Sequence, residues 1–127
     1  MHNYPWLDEY LQSKAGCCKD YKAEWDWVRY QVGGRMFAAY TRPEPKHVAY
    51  ANRELLTLKC DPGLSQALRD EYPAIAPGFY MDKRCWISVF LDGDLPEASL
   101  RGLCDASYDL VFSKLTKKAQ REILAGE

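Results

Sequence analysis

Apolar side chains recur at helical spacing at the start of the chain. The period near 3.6 residues over 4–14 predicts an amphipathic helix. Asn3 is a plausible N-cap residue for this helix, and Gly16 is a typical terminator. The apolar stripe consists of Trp6, Leu7, Tyr10 and Leu11. The first element is therefore predicted to pack on a core through one face.

Aromatic and β-branched residues then dominate two segments, 25–32 and 35–40, which are separated only by Gly33-Gly34. Glycine readily adopts the positive φ angles that a two-residue hairpin loop requires. These segments therefore predict a tight hairpin, and the alternating apolar positions of 54–60 predict a third strand.

Cap residues, prolines and apolar runs divide the second half of the chain into further helices and strands. Asp-Pro and Asp-x-x-Glu are helix-start signals, and a proline that follows an apolar stripe ends a helix. The predicted elements are a helix from Asp61 to Tyr72, a rigid connection over 73–78, a hairpin of strands 79–81 and 85–91 that turns near Asp82-Lys83, a helix from Asp94 to about Leu115, and a short terminal helix capped by Thr116.

This order, α-β(3)-α-β(2)-α-α, predicts a two-layer α+β fold with an antiparallel sheet and helices on one face. Neither a repeat nor a linker interrupts the pattern, so residues 1–127 are predicted to form one domain. The apolar fraction of 47% is sufficient for a single core.

Composition narrows the class of protein further. No apolar run is long enough to span a membrane, and the N-terminus lacks the pattern of a secretory signal, which predicts a soluble cytoplasmic protein. The five cysteines, Cys17, Cys18, Cys60, Cys85 and Cys104, have no framework spacing and are predicted to be reduced thiols.

The net charge of −1 is unevenly distributed. Between Arg29 and Lys59 there are six basic residues and two acidic ones, a local surplus of four positive charges. This segment forms either a basic patch or an ordinary solvated sheet face.

Sequence motifs for catalysis are absent. Gly33-Gly34 lies in a hairpin and not in a phosphate-binding strand-to-helix turn, and the two histidines, His2 and His47, are in terminal and loop positions. Asp92 and Asp94 are explained by a turn and a helix cap. We therefore expect no enzyme activity, no metal and no cofactor.

Several motifs in the same order resemble the MmcQ/YjbR family over most of the chain. These motifs are Val32-Gly33-Gly34-Arg35-Met36-Phe37-Ala38, Lys59-Cys60-Asp61-Pro62, Arg69-Asp70-Glu71-Tyr72-Pro73, Pro77-Gly78-Phe79-Tyr80-Met81-Asp82-Lys83-Arg84-Cys85-Trp86, Leu91-Asp92-Gly93 and Ser107-Tyr108-Asp109-Leu110-Val111.

The resemblance implies a fold like that of the type III secretion chaperones and DNA as the partner, since members are described as predicted DNA-binding proteins with a "double-wing" of two hairpins. By this resemblance, Arg35 is the cation of the first wing, and Lys83 and Arg84 are those of the second. Lys59, Lys117 and Lys118 also stand at positions similar to those of the family. Asp82 places a carboxylate at the second tip, where relatives often have asparagine.

Three functional hypotheses follow. The first is weak DNA binding by the two hairpin wings. The second is a protein-interaction module, which could be a homodimer, because the aromatic residues exceed what one sheet face needs to bury. The aromatic residues concerned are Tyr21, Trp25, Trp27, Tyr30 and Tyr40. The third is an enzyme or small-ligand binder with a pocket near Trp86 and Lys59.

Overall fold

An open six-stranded antiparallel sheet is the frame of the computed structural model, which describes residues 1–126. The strands are β1 (Cys18–Lys22), β2 (Trp27–Val32), β3 (Arg35–Thr41), β4 (Leu55–Lys59), β5 (Ile75–Pro77) and β6 (Trp86–Phe90). Their order across the sheet is β1-β2-β3-β4-β6-β5, and every neighbouring pair is antiparallel. The sheet therefore has two edges, at β1 and β5.

One face of the sheet is covered by helices. The helices are α1 (Leu7–Gln12), α2 (Ser65–Glu71), α3 (Glu97–Ser113) and α4 (Lys117–Ala125). All four contribute to the main core or pack against it, for example through Leu11 of α1, Leu68 of α2 and Leu100 of α3. The predicted two-layer arrangement with helices on one face is thus confirmed.

The opposite face, which we call the outer face, has a second and smaller apolar cluster. Trp27 of β2, Leu55 of β4 and Phe90 of β6 are buried there under Phe79, which comes from the loop before β6. Because none of the helices within residues 1–126 covers this cluster, loop residues and exposed rings define the surface on this side of the sheet.

The strands differ from the prediction at two places. β1, at Cys18–Lys22, was not predicted, because its residues are polar or exposed and its pairing to β2 defines it. The strand predicted at 79–81 is wrong: β5 is Ile75–Pro77, within the segment predicted as a rigid connection. Residues 78–85 form a long loop that joins β5 to β6, so the second predicted hairpin is present with β5 as its first strand.

The predicted helix caps differ in outcome. Thr116 does cap α4, because its side-chain oxygen accepts a hydrogen bond from the backbone N–H of Ala119 at 3.1 Å. Asn3, Asp61 and Asp94 lie ahead of the helices, which begin after Trp6, Leu64 and Pro96 without a side-chain cap. Asp61 belongs to the turn before α2, because the Leu64 N–H donates a hydrogen bond to the Asp61 carbonyl at 2.9 Å.

The carboxylate of Asp105 links α3 to the α1 region through hydrogen bonds and makes the free energy of unfolding depend on pH. Burial opposes ionisation of Asp105, but hydrogen bonds from Lys14 and from the Tyr10 hydroxyl, the latter 2.5 Å long, outweigh it and lower the pKa of Asp105. A lowered folded-state pKa stabilises the fold above the unfolded value, about pH 4. This contribution is lost as pH falls through the folded-state pKa.

We therefore expect the loss of stability of the native chain between about pH 4 and pH 2 to be smaller in Asp105→Asn. Denaturant unfolding at several pH values measures it. Asp70→Asn is the control, because Asp70 bonds only within its own helix, to Gln66. Parallel acid-side stability curves for Asp105→Asn and the native chain would contradict the expectation.

Candidate functional site

Three basic side chains lie together where β3 begins and where β4 ends beside the start of β6. They are those of Arg35, Lys59 and Lys114. They line a groove of about 300 Å³, which we call the basic groove. Its lining residues are Arg35, Met36, Lys59, Met81, Trp86, Val111 and Lys114. The groove therefore combines positive charge with an aromatic ring and two flexible thioethers.

Sheet register and a tight turn position these side chains. Lys59 and Trp86 are direct partners across β4 and β6, so their side chains lie on the same face, with the Lys59 Nζ 5.9 Å from the ring centroid. Arg35 follows Gly33 and Gly34, whose φ angles of 56° and 77° are those of a tight hairpin. The confirmed first hairpin thus places Arg35 at one end of the groove.

A buried hydroxyl joins the basic groove to the helix layer. Ser107 of α3 donates a hydrogen bond to the Phe37 carbonyl at 2.6 Å and accepts one from the Lys59 N–H at 2.8 Å. Its side chain is fully buried. Ser107 therefore holds α3 against β3 and β4 at the point where Lys59 enters the groove.

The positive charge of the basic groove is uncompensated. Within residues 1–126, no carboxylate oxygen lies within 4.0 Å of the charged groups of Arg35, Lys59 or Lys114. Ten other basic side chains and the N-terminal amine do have a carboxylate partner within this distance. Like charges that share a groove repel one another. An anionic ligand would relieve that repulsion.

The structure separates the six cations predicted from the sequence. Arg35 and Lys59 lie together in the basic groove, whereas Lys83 lines a different depression beside His47 and Tyr80. Arg84 forms an ion pair with Asp82 at 3.0 Å. The carboxylate at this tip therefore neutralises one of the two cations predicted for the second wing.

The other two predicted cations lie on α4, where Lys118 is 3.9 Å from Glu122 and Lys117 has no carboxylate within 4.0 Å in the part of the chain described. Lys114 was missed by sequence reasoning. The sequence indicates that Lys114 follows the core residue Val111 by one helical turn, at the same end of α3, but not that this end lies beside Arg35 and Lys59.

A larger groove lies next to the basic groove on the outer face. It encloses about 480 Å³, and we call it the aromatic groove. The rings that line it are Trp25, Trp27, His47, Phe79 and Tyr80. A volume of this size is within the usual range for ligand sites.

The exposed aromatic residues do not form one patch. Trp25 is 53% exposed and lies at 5.6 Å from Trp27 in the aromatic groove. Tyr21 is 58% exposed but pairs with Val28, which packs towards the helices. Tyr30 is fully buried in the main core. Of the five aromatic residues in the second hypothesis, only Trp25 and Trp27 line the groove.

Two residues of the aromatic groove have a left-handed backbone. Asp26 has a φ of 56° and Tyr80 a φ of 57°. This conformation costs about 1 kcal/mol for a residue with a side chain and is unusual for a bulky aromatic residue. Tyr80 is nevertheless 71% exposed, so burial of its ring contributes little to offset that cost. Residues of this kind cluster at functional sites.

The cysteines are free thiols, and burial makes Cys17 and Cys104 weak acids. All five cysteines are unpaired thiols, as predicted, with Cys60 and Cys104 buried. Burial raises the pKa of Cys17 to about 11 and that of Cys104 to about 12. Thiols with such pKa values are poor nucleophiles. Within residues 1–126 no three His, Cys, Asp or Glu side chains are grouped as a metal site would require.

The helices in the described part of the chain are too short or too polar to traverse a bilayer. The fold defines a class of protein: an α+β domain with an open antiparallel sheet, helices on one face and a groove lined by aromatic residues on the other. A family model described as YjbR matches residues 12–110. The chain belongs to the YjbR family.

Relatives in sequence agree with this assignment. The uncharacterized protein YbdF of Escherichia coli O157:H7 is 35% identical over 97 residues, which cover 76% of this chain and 74% of YbdF. The uncharacterized protein YjbR of Escherichia coli K12 is 28% identical over 115 residues, which cover 91% of this chain and 92% of YjbR.

Solved structures share the fold. The Deinococcus radiodurans protein DR2400, with a DUF419 domain, superposes with a TM-score of 0.76 at 28% identity over 92% of this chain and 84% of that one. A Pseudomonas syringae protein superposes with a TM-score of 0.72 at 24% identity, over 83% of this chain and 95% of that one. The latter similarity concerns the fold alone.

Proposed function

We propose that this protein binds nucleic acid through phosphate contacts made in the basic groove. One observation carries the proposal: Arg35, Lys59 and Lys114 line the same groove, and no carboxylate oxygen within residues 1–126 is close enough to neutralise them. The backbone of a nucleic acid carries a phosphate at every nucleotide, and proteins commonly contact these phosphates with lysine and arginine. The family resemblance, which names DNA as partner, points the same way.

The proposed site differs from two symmetric wings. The first hairpin supplies Arg35, while Lys59 and Lys114 come from β4 and the end of α3, and the paired strands β5 and β6 are joined by the loop 78–85 and not by a tight turn. Arg84 is already paired with Asp82. Contacts should therefore be few, so binding is expected to be weak and strongly dependent on salt.

Fluorescence anisotropy of a labelled DNA duplex, titrated at several salt concentrations, tests the proposal. Three phosphate contacts correspond to a slope of log K against log salt of about −2.7. The double substitution Arg35→Gln and Lys59→Gln is expected to weaken binding about tenfold at low salt and to make the slope less negative by about 2. The loss should be the same for unrelated sequences, because phosphates are common to all of them.

Arg84→Gln is the matched control, because it removes one exposed positive charge that already has a carboxylate partner. Its affinity should stay close to that of the native protein. An equal loss of affinity in Arg84→Gln would indicate a general effect of net charge, and unchanged binding in the double variant would exclude the basic groove as the site.

A second candidate function is a protein-interaction module without nucleic-acid or catalytic activity, and the aromatic groove with its exposed Trp25 favours it. A homodimer is the simplest form of this candidate. Sedimentation velocity at rising protein concentration tests it: a dimer that Trp25→Ala disrupts supports it, whereas a monomer at high concentration counts against a homodimer.

A further inference from the structure

The basic groove and the aromatic groove are two parts of one surface. Met36 of β3 and Met81 of the loop before β6 line both of them. A ligand that lies on these two methionines would therefore reach positive charge on one side and aromatic rings on the other.

The length of this surface can be estimated from the sheet. Trp86 on β6 and Trp27 on β2 are three strand spacings apart and about four residues apart along the strands. With about 4.8 Å between strands and about 3.3 Å per residue, the diagonal is about 20 Å. Such a distance accommodates a short stretch of a polymer and exceeds the reach of one small metabolite.

The exposed rings of the aromatic groove are held in place before any ligand arrives. Trp25 makes an edge contact with Trp27 at 5.6 Å, and Tyr80 lies 4.6 Å from Phe79 and 5.2 Å from His47. Tyr80 has a positive φ and is 71% exposed. A ring that is fixed in position and exposed loses little freedom when a planar group stacks on it.

We propose that the ligand of this combined surface is a single-stranded nucleic acid. This proposal rests on the proposed function and specifies its substrate. Phosphates would lie in the basic groove, and unpaired bases would stack on Trp25 and Tyr80 in the aromatic groove. Aromatic stacking combined with a positively charged groove is the general mode by which proteins bind single strands with little sequence preference.

A duplex cannot satisfy both grooves. Its bases are stacked inside the helix, so only its phosphates reach the protein, and the rings of Trp25 and Tyr80 remain without a partner. The basic groove should therefore contribute to the binding of both forms, and the aromatic groove should contribute only to the binding of the single strand. The charge of the adjoining basic groove is what favours this occupant over an apolar protein segment.

The test compares a labelled oligothymidine of about twelve nucleotides with a duplex of equal length, each titrated with the full chain and followed by anisotropy. Trp25→Ala and Tyr80→Ala are each expected to lower the affinity for the single strand by about tenfold and to leave the affinity for the duplex within twofold. Tyr80→Phe should restore single-strand binding, because stacking requires the ring and not the hydroxyl.

Leu124→Ala is the matched control, since it removes an equally exposed apolar side chain from α4, and Leu124 lines neither groove. It should change neither affinity. Far-UV circular dichroism of each variant verifies that the fold is retained.

Other outcomes separate this inference from the proposed function. If Trp25→Ala and Tyr80→Ala leave single-strand binding unchanged while Arg35→Gln with Lys59→Gln weakens it, the basic groove stands and the stacking surface is overturned. If neither form binds even at low salt, both proposals are overturned. If the two aromatic substitutions instead abolish self-association without any effect on oligonucleotide binding, the aromatic groove is a protein interface and the inference is overturned.

Discussion

Gly78→Ala is expected to lower the free energy of unfolding by about 3 kcal/mol. A Cβ at this position would lie 2.7 Å from the Cβ of Trp86 and 2.9 Å from the Trp86 carbonyl oxygen. These atoms belong to β6 or are attached directly to its backbone, so rotation of a side chain cannot relieve the contact. The Gly78 N–H also donates to the Trp86 carbonyl at 3.1 Å, so separation of the two segments would cost this bond as well.

Urea unfolding followed by circular dichroism measures this effect, and Gly102→Ala supplies the control. Gly102 lies within α3, and nothing approaches within 4 Å of a Cβ built there. Alanine is the better helix former, so this variant should gain about 0.7 kcal/mol. Equal stability of the Gly78→Ala variant and the native chain would mean that the loop 78–85 has a different position relative to β6.

Ser107→Ala is expected to cost about 2 kcal/mol, because two buried backbone groups lose a partner at once. The Ser107 hydroxyl bonds the Phe37 carbonyl and the Lys59 N–H, and its side chain is inaccessible to water that could replace it. The Lys59 N–H would become an unsatisfied donor at the end of β4. Loss of this link should also loosen the basic groove.

Ser113→Ala is the comparison for this second prediction. Ser113 lies on the same helix, but it is exposed, and its hydroxyl donates only to the Leu110 carbonyl one turn earlier, at 3.0 Å. Water can replace that bond, so the change should stay within about 0.5 kcal/mol. If both serine variants unfold at the same denaturant concentration, the role assigned to Ser107 is wrong.

The elements with strong local signals could be predicted from the sequence. The hairpin at Gly33-Gly34 and the helix cap at Thr116 depend on backbone preferences that a few neighbouring residues determine, and both are present. The family assignment is also confirmed, since the ordered motifs lie within a model match over residues 12–110 or close to it.

The elements that depend on distant partners could not be predicted in this way. β1 has an exposed, charged sequence and becomes a strand because β2 offers it free backbone groups. β5 ends at Pro77, which a strand tolerates only at an edge, and this edge position is set by β6. Phe79 has a high preference for strands, but it is used instead to cover the outer face.

The same limit applies to the candidate site. The sequence places Arg35 and Lys59 in one basic segment but contains no information that Lys114, far along the chain, lies beside them. Arg84 was also predicted as a free cation of the second wing. Its ion pair with Asp82 depends on the shape of the loop 78–85. The proximity of these basic side chains is determined by the fold and not by their positions along the chain.

The two edges of the sheet restrict how copies of this protein can assemble. β1 presents Lys19, Asp20 and Lys22 along its exposed length, and β5 is only three residues long and ends in a proline that has no N–H to donate. Charged, short or proline-bearing edges discourage the addition of a foreign strand. The fold is therefore protected against growth into continuous cross-chain sheets, and any self-association would be expected to use the outer face.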